Sequence, residues 1–67
     1  MAKVLTDGEH RWYEVKRGLF ICASSYREGI RQYESYGFGW TVEFLLSVGL
    51  GPFDLVGYEK RPKIGEA

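Results

Sequence analysis

The two most reactive side chains in this sequence are its one histidine and its one cysteine, His10 and Cys22. A cysteine nucleophile needs a neighbouring base to take its proton, and His10 is the one histidine for that role. Cys22, however, lies in the apolar run Leu-Phe-Ile-Cys-Ala, where cysteine usually packs as a small hydrophobic side chain. A structural zinc ion needs about four Cys or His ligands, which the chain lacks. We therefore predict no catalytic residue and no metal site.

Paired carboxylates and glycine-rich loops are the other groups that could do chemistry. Glycoside-type acid–base catalysis needs two carboxylates about 5–10 Å apart, and Glu9, Glu14, Glu28 and Glu34 are the candidates. Simpler roles are a strand surface for Glu14, a helix cap for Glu28 and a helix ion pair for Glu34. Gly37-Phe38-Gly39 and Gly49-Leu50-Gly51 resemble pieces of phosphate-binding loops, yet neither carries the lysine and hydroxyl residue of a P-loop. We interpret both as helix ends and predict a non-enzymatic protein without a cofactor.

The first half of the chain interleaves aromatic and basic residues. Arg27 and Arg31 are four residues apart, so on a helix they would share one face and hold a phosphate or carboxylate. A tyrosine beside them would stack on a base. The competing interpretation is a solvated Arg/Glu surface above a Tyr-rich core. This possible site for a nucleotide or single-stranded nucleic acid comprises Arg11, Tyr13, Arg17, Arg27, Arg31 and Tyr33.

Length and composition indicate one small domain that is only marginally stable alone. The chain has 67 residues and a formal net charge of zero, so no global field attracts nucleic acid. A domain of this size buries only about 60% of the surface that its unfolded chain exposes, and such domains are usually stabilised by disulfides, metals or oligomerisation. One cysteine allows no internal disulfide, so we expect a homodimer or larger assembly. We expect no signal peptide, no membrane-spanning segment and a cytoplasmic location.

One β-hairpin signal and a second β-rich segment open the chain. Asp7-Gly8 is a strong turn signal and predicts a hairpin between residues 3–6 and 10–16. Residues 19–23 read as β-structure, either a third strand after a tight turn or the second strand continued past a bulge at Gly18. A closing strand over residues 53–58 is expected to pair with residues 12–15, and residues 60–67 form an expected frayed tail.

Two helices are predicted between these strands. Ser25 and Glu28 have capping-box spacing for a helix that ends at Gly37, and Thr41 caps a second helix over residues 42–48. The order β-β-(β)-α-α-β favours an α+β fold, a small antiparallel sheet with both helices on one face. The second helix is apolar nearly all round, which suggests that another subunit covers part of it. The predicted oligomer interface comprises Trp40, Val42, Phe44, Leu46 and Leu50.

Two segments carry a resemblance to a known family. The strand Trp-Tyr-Glu-Val-Lys at 12–16 resembles the W-E-Y-K-V strand of a small uncharacterised bacterial and phage domain family. Residues 45–56 are similar to that family's L-x-x-L-G-x-x-G-W-E-L-V run, although Pro52 replaces the glycine and Phe53 the tryptophan. Lys60-Arg61-Pro62 follows, as in the family. The resemblance covers about a third of the chain; it implies an α+β fold and a bacterial or phage origin, but no cofactor and no catalytic residue.

These observations lead to two functional hypotheses. The first is a small interaction protein, encoded by a phage or mobile element, that self-associates through the segment Trp40–Leu50 and binds, and thereby inhibits, a host protein. The second is binding of a nucleotide or single-stranded nucleic acid by the Tyr/Arg residues.

Overall fold

The computed structural model describes residues 2–60 and has an α+β fold, as predicted. A four-stranded antiparallel sheet runs in the order β3-β2-β1-β4. The two helices follow the third strand in sequence and precede the fourth. The elements are β1 (Ala2–Thr6), β2 (Arg11–Lys16), β3 (Leu19–Cys22), α1 (Tyr26–Tyr36), α2 (Val42–Ser47) and β4 (Asp54–Glu59).

Tight turns join the first three strands. The predicted first hairpin is confirmed, with Val4 opposite Tyr13 in an antiparallel β1–β2 ladder. Of the two alternatives for the next segment, the structure has a separate strand, because β3 returns antiparallel along β2 with Leu19 opposite Lys16. The turn between them is Arg17-Gly18, and Gly18 has a positive φ of 78°, which favours glycine.

The partner of the closing strand differs from the prediction. β4 pairs with β1, and Leu55 lies opposite Leu5, whereas the sequence led us to expect pairing with residues 12–15. Both sides of β2 are already occupied, by β1 and β3. Of the two outer strands, β1 takes β4 on its free side, whereas Trp40 bridges to the outer edge of β3 at Phe20, and β4 becomes an edge of the sheet.

The arrangement of both helices on one face is not confirmed, because the two buried clusters lie on opposite faces. Successive residues of a strand point to opposite faces, and both Trp12 and Tyr13 in β2 are buried. Tyr13 packs with Tyr26 of α1, whereas Trp12 packs with Leu45 of α2. Each apolar face of the sheet thus has its own helix.

Both helices begin at the predicted capping residues. The Ser25 hydroxyl accepts a hydrogen bond from the Glu28 N–H at 3.1 Å, and the Thr41 hydroxyl accepts one from the Phe44 N–H at the same distance. The Glu28 carboxylate accepts a hydrogen bond from Arg31, so it serves an ion pair on the helix surface. α1 ends at Gly37, whose φ is 81°. Residues 61–67 of the predicted tail lie outside the described residues.

Candidate interaction surface

The segment between the two helices is fixed against the outer edge of β3. The Phe20 N–H donates to the Trp40 carbonyl at 2.7 Å, and the Trp40 N–H donates to the Phe20 carbonyl at 2.9 Å. The approach is close enough that a Cβ on Gly39 would lie 3.0 Å from the Leu19 Cβ and 3.3 Å from the Phe20 carbonyl oxygen. Two backbone hydrogen bonds and one glycine thus determine where the Trp40 side chain projects.

Four aromatic rings form a connected row on the surface beside this bridge. The ring centroids of Tyr36 and Phe38 are 6.3 Å apart, those of Phe38 and Trp40 5.2 Å, and those of Trp40 and Phe44 5.1 Å. Each of the four residues is between 39 and 68% exposed. We call Tyr36, Phe38, Trp40 and Phe44 the aromatic row. Aromatic side chains of this size usually lie in a core or an interface.

Further exposed apolar side chains lie on α2 and just after it. The helix is anchored by Leu45, which is 3% exposed and packs against Trp12 and Phe20. Its neighbour Leu46 is 49% exposed, and Val48 and Leu50 beyond the helix are exposed as well. Leu45 and the half-buried Val42 thus hold a short helix whose Phe44 and Leu46 side chains are exposed.

Four of the five predicted interface residues have exposed side chains, and two of them, Trp40 and Phe44, belong to the aromatic row. Trp40, Phe44, Leu46 and Leu50 are exposed, whereas Val42 is half-buried against the Trp12 cluster. The sequence analysis missed Tyr36 and Phe38, which extend the row. Their signal was the alternation of aromatic residues with glycine in Tyr-Gly-Phe-Gly-Trp, which we had interpreted as a helix end.

A second exposed apolar region lies on β4, at the opposite edge of the sheet. Leu55, Val56 and Tyr58 are each about half exposed, between 45 and 56%. The sequence analysis had assigned this segment to a closing strand without a binding role. The chain therefore has exposed apolar side chains both near the β3 edge and along β4.

The residues of the possible nucleotide site do not all have exposed side chains. Tyr13 is 1% exposed and stacks on Tyr26 with 6.2 Å between ring centroids, so a base has no access to its ring in this structure. Arg31 donates to Glu28, and this interaction lowers the pKa of the Glu28 carboxyl. Of the remaining residues of this site, Tyr33 is half-buried and three are exposed: Arg11, Arg17 and Arg27.

His10 and Cys22 line the same surface cleft, of about 460 Å³, but their environments do not activate a nucleophile. Partial burial and the nearby charge of Asp7 raise the pKa of the Cys22 thiol, so at neutral pH the protonated thiol predominates, which is a weak nucleophile. The His10 Nδ1 lies 3.6 Å from the Asp7 carboxylate. In residues 2–60 no group of three or more His, Cys, Asp or Glu could hold a metal ion.

Asp7 has a structural role in the β1–β2 turn. Its Oδ1 accepts hydrogen bonds from the backbone N–H groups of His10 at 2.8 Å and Glu9 at 2.9 Å. Its Oδ2 accepts one from the Trp12 indole at 3.1 Å. These donors, the His10 N–H foremost, hold the pKa of the Asp7 carboxyl well below its usual range. The carboxylate thus joins the turn to the Trp12 cluster.

Comparison with known proteins gives no relative, since no family model, no curated protein and no solved structure matches the chain. The resemblance to the phage domain family therefore stays a prediction. None of the helices in residues 2–60 has the length and apolar character needed to cross a membrane.

Proposed function

We propose that this chain is a small non-enzymatic interaction module that associates with itself and binds a second protein through the aromatic row and the outer side of α2. The observation that supports this proposal best is the aromatic row itself, four connected and exposed rings beside the backbone bridge at Trp40. Aromatic residues with exposed surface are the side chains most often found at the energetic centre of protein interfaces.

The exposed area approaches that of a stable interface only if α2 contributes. A large aromatic residue has about 150–250 Å² of surface, so the four half-exposed rings present roughly 450 Å². Leu46, Val48 and Leu50 raise this to about 700 Å² per copy on the same scale. Stable interfaces bury about 800 Å² per partner. The rings alone are therefore too small for a stable dimer, whereas the rings and α2 together approach the required area.

The bridge between Phe20 and Trp40 also favours binding on energetic grounds. Two backbone hydrogen bonds fix the centre of the row, and Leu45 fixes α2 against the sheet. A surface that is already ordered loses less conformational entropy when a partner binds. This supports a preformed contact surface, with the rings as its centre.

The partner and setting follow from the sequence hypotheses. A marginal domain of 67 residues gains stability from a second copy, and the resemblance to a phage domain family suggests a bacterial host protein as the other partner. Within this proposal the protein is cytoplasmic, and binding inhibits the host protein.

Native mass spectrometry of the freshly purified chain tests self-association, and the variants Phe44→Glu and Leu46→Glu test the surface. Both side chains are exposed, so a folded monomer is the expected product. A glutamate at the centre of an interface is expected to cost about 2 kcal/mol or more, which is roughly a thirtyfold loss of affinity. Circular dichroism confirms that each variant is folded.

The matched control is Ser24→Glu, which adds the same charge at an exposed position before α1. It should leave the oligomer unchanged. Oligomers of unchanged size in both Phe44→Glu and Leu46→Glu would show that the surface is wrong. A wild-type monomer would remove self-association from the proposal, and a retained nucleotide mass would favour the Arg27 and Arg31 site instead.

A further inference from the structure

The two edges of the sheet differ in their backbone pairing. The β3 edge is covered at Phe20 by the backbone of Trp40, which makes two hydrogen bonds there. The opposite edge is β4, a strand of six residues whose one neighbour in the part of the chain described here is β1. Unpaired backbone N–H and C=O groups along an edge strand are a template for a further strand.

The register of β4 on β1 separates its side chains by chemistry. Directly opposite residues of an antiparallel pair share a face. Leu55 lies opposite Leu5 and Tyr58 opposite Lys3, so both belong to the face that α2 covers. The other face carries the two carboxylates of the strand, with Asp54 opposite Thr6 and Glu59 opposite Ala2.

These carboxylates have no cation opposite them on β1. Thr6 and Ala2 are uncharged, and Lys3 lies on the opposite face. Lys60 follows β4 and is exposed. Because side chains alternate along a strand, Lys60 belongs to the same face as Tyr58. A strand added at the outer edge would therefore meet an acidic side chain at each end of one face and two apolar side chains on the other.

A second copy of β4 fits this edge poorly. The register shift at Val4/Leu5 leaves Val56 without a partner on β1. A two-fold antiparallel pair that uses all six residues of both β4 strands places Asp54 of each copy opposite Glu59 of the other. Like charges directly opposite each other destabilise a strand pair. The acidic ends of β4 thus favour a basic partner and disfavour the chain itself.

We infer that the outer edge of β4 binds an extended segment of another protein as an added antiparallel strand, with Lys or Arg opposite Asp54 and Glu59. The pairing of β1 with β4 gives the length of the added segment, since five residues of β1 lie along the six residues of β4. The added segment therefore has the pattern basic–apolar–any–apolar–basic, with its apolar residues beside Leu55 and Tyr58. Main-chain hydrogen bonds supply affinity in this mode, and alternate side chains supply selectivity.

The test uses two synthetic peptides and the full chain. The probe is acetyl-Thr-Lys-Val-Thr-Val-Lys-Thr-amide, and its control has glutamate in place of both lysines. Titration into ¹⁵N-labelled protein gives the affinity and the amides that shift. We expect the amide signals of β4 to shift saturably as the lysine peptide is added. The glutamate peptide should bind at least roughly tenfold more weakly than the lysine peptide, because both charge pairs become repulsive.

Charge reversal of the protein is the matched control. Asp54→Lys combined with Glu59→Lys changes two exposed side chains and should reverse the peptide preference. Equal binding of both peptides, no shift of the β4 amides, or a preference that survives the reversal would overturn the inference. Phe44→Glu should leave peptide binding unchanged, so failure at β4 and failure of the α2 surface are separate results.

Discussion

Adjacent leucines on α2 provide a sensitive test of how this helix is attached. Leu45 is 3% exposed and packs against Trp12 and Phe20, whereas Leu46 is 49% exposed. Replacing a buried leucine by alanine costs about 2–5 kcal/mol, through lost burial and the cavity left behind. Full burial of a leucine side chain stabilises by about 1.5–3 kcal/mol, so truncation of half-exposed Leu46 should cost about 1 kcal/mol.

These magnitudes are large for a domain of this size. The core of a chain below about 70 residues rarely supplies more than 3–5 kcal/mol, so Leu45→Ala should be largely unfolded or close to it. Leu46→Ala should remain folded. With a urea m-value near 1 kcal/mol/M, the Leu46→Ala midpoint should fall by about 1 M and the Leu45→Ala midpoint by at least twice as much.

Equilibrium urea unfolding followed by circular dichroism measures both variants. The titrations are run at two protein concentrations, because the midpoint of a self-associating chain rises with protein concentration, whereas the midpoint of a variant that has lost self-association does not. Equal destabilisation by the two alanines, or a larger loss for Leu46→Ala at both concentrations, would refute the orientation of α2 and the surface proposed on it.

Three further predictions concern the elements that hold the surface in place. Gly29→Ala should raise stability by about 0.5–1 kcal/mol in thermal or urea unfolding, since its new Cβ would lie 3.5 Å from Val15 in ordinary contact; a loss of stability would contradict the packing of α1. Gly39→Ala should lower stability by about 1–3 kcal/mol and speed hydrogen exchange at the Trp40 amide, because its Cβ would lie 3.0 Å from the Leu19 Cβ; unchanged exchange would argue against the bridge. The pKa of the Asp7 carboxyl is lower in the folded state than in the unfolded state. The ionised carboxylate therefore stabilises the fold at pH values above the ordinary carboxyl pKa of about 3.9, and this stability is lost as the pH falls from there towards the lowered pKa of the folded state. The urea midpoint should therefore fall between about pH 6 and about pH 3, and Asp7→Asn should reduce that fall; an equal fall in the variant would assign the acid sensitivity elsewhere.

Local signals in the sequence predicted most of the elements. The Asp7-Gly8 turn and the caps at Ser25 and Thr41 depend on residues within four positions of each other, and the structure has all three. The closing strand also formed, although its bounds are Asp54–Glu59 instead of 53–58. Such features need little information from the rest of the chain.

The pairing of β4 and the placement of the helices required the tertiary structure. Alternation of polar and apolar residues tells which face of a strand is buried, but Trp12 and Tyr13 are adjacent and both buried, so this signal was absent in β2. Each of the two apolar faces of the sheet packs against its own helix, so α1 and α2 lie on opposite sides of the sheet. Once β2 had a neighbour on each side, β4 could pair only with an outer strand, and the structure has it on β1, whereas β3 meets Trp40 at Phe20.

The candidate surface shows the same division. The sequence by itself determined that the segment around α2 has more large apolar side chains than a small core accommodates, because composition and helical spacing are local properties. It did not determine that Tyr13 lies inside whereas Tyr36, Phe38 and Trp40 lie outside. The burial of Tyr13 was decided by the packing of Tyr26 of α1 against it. The placement of Trp40 was decided by its bridge to Phe20, a contact between residues twenty apart that depends on the close backbone approach at Gly39.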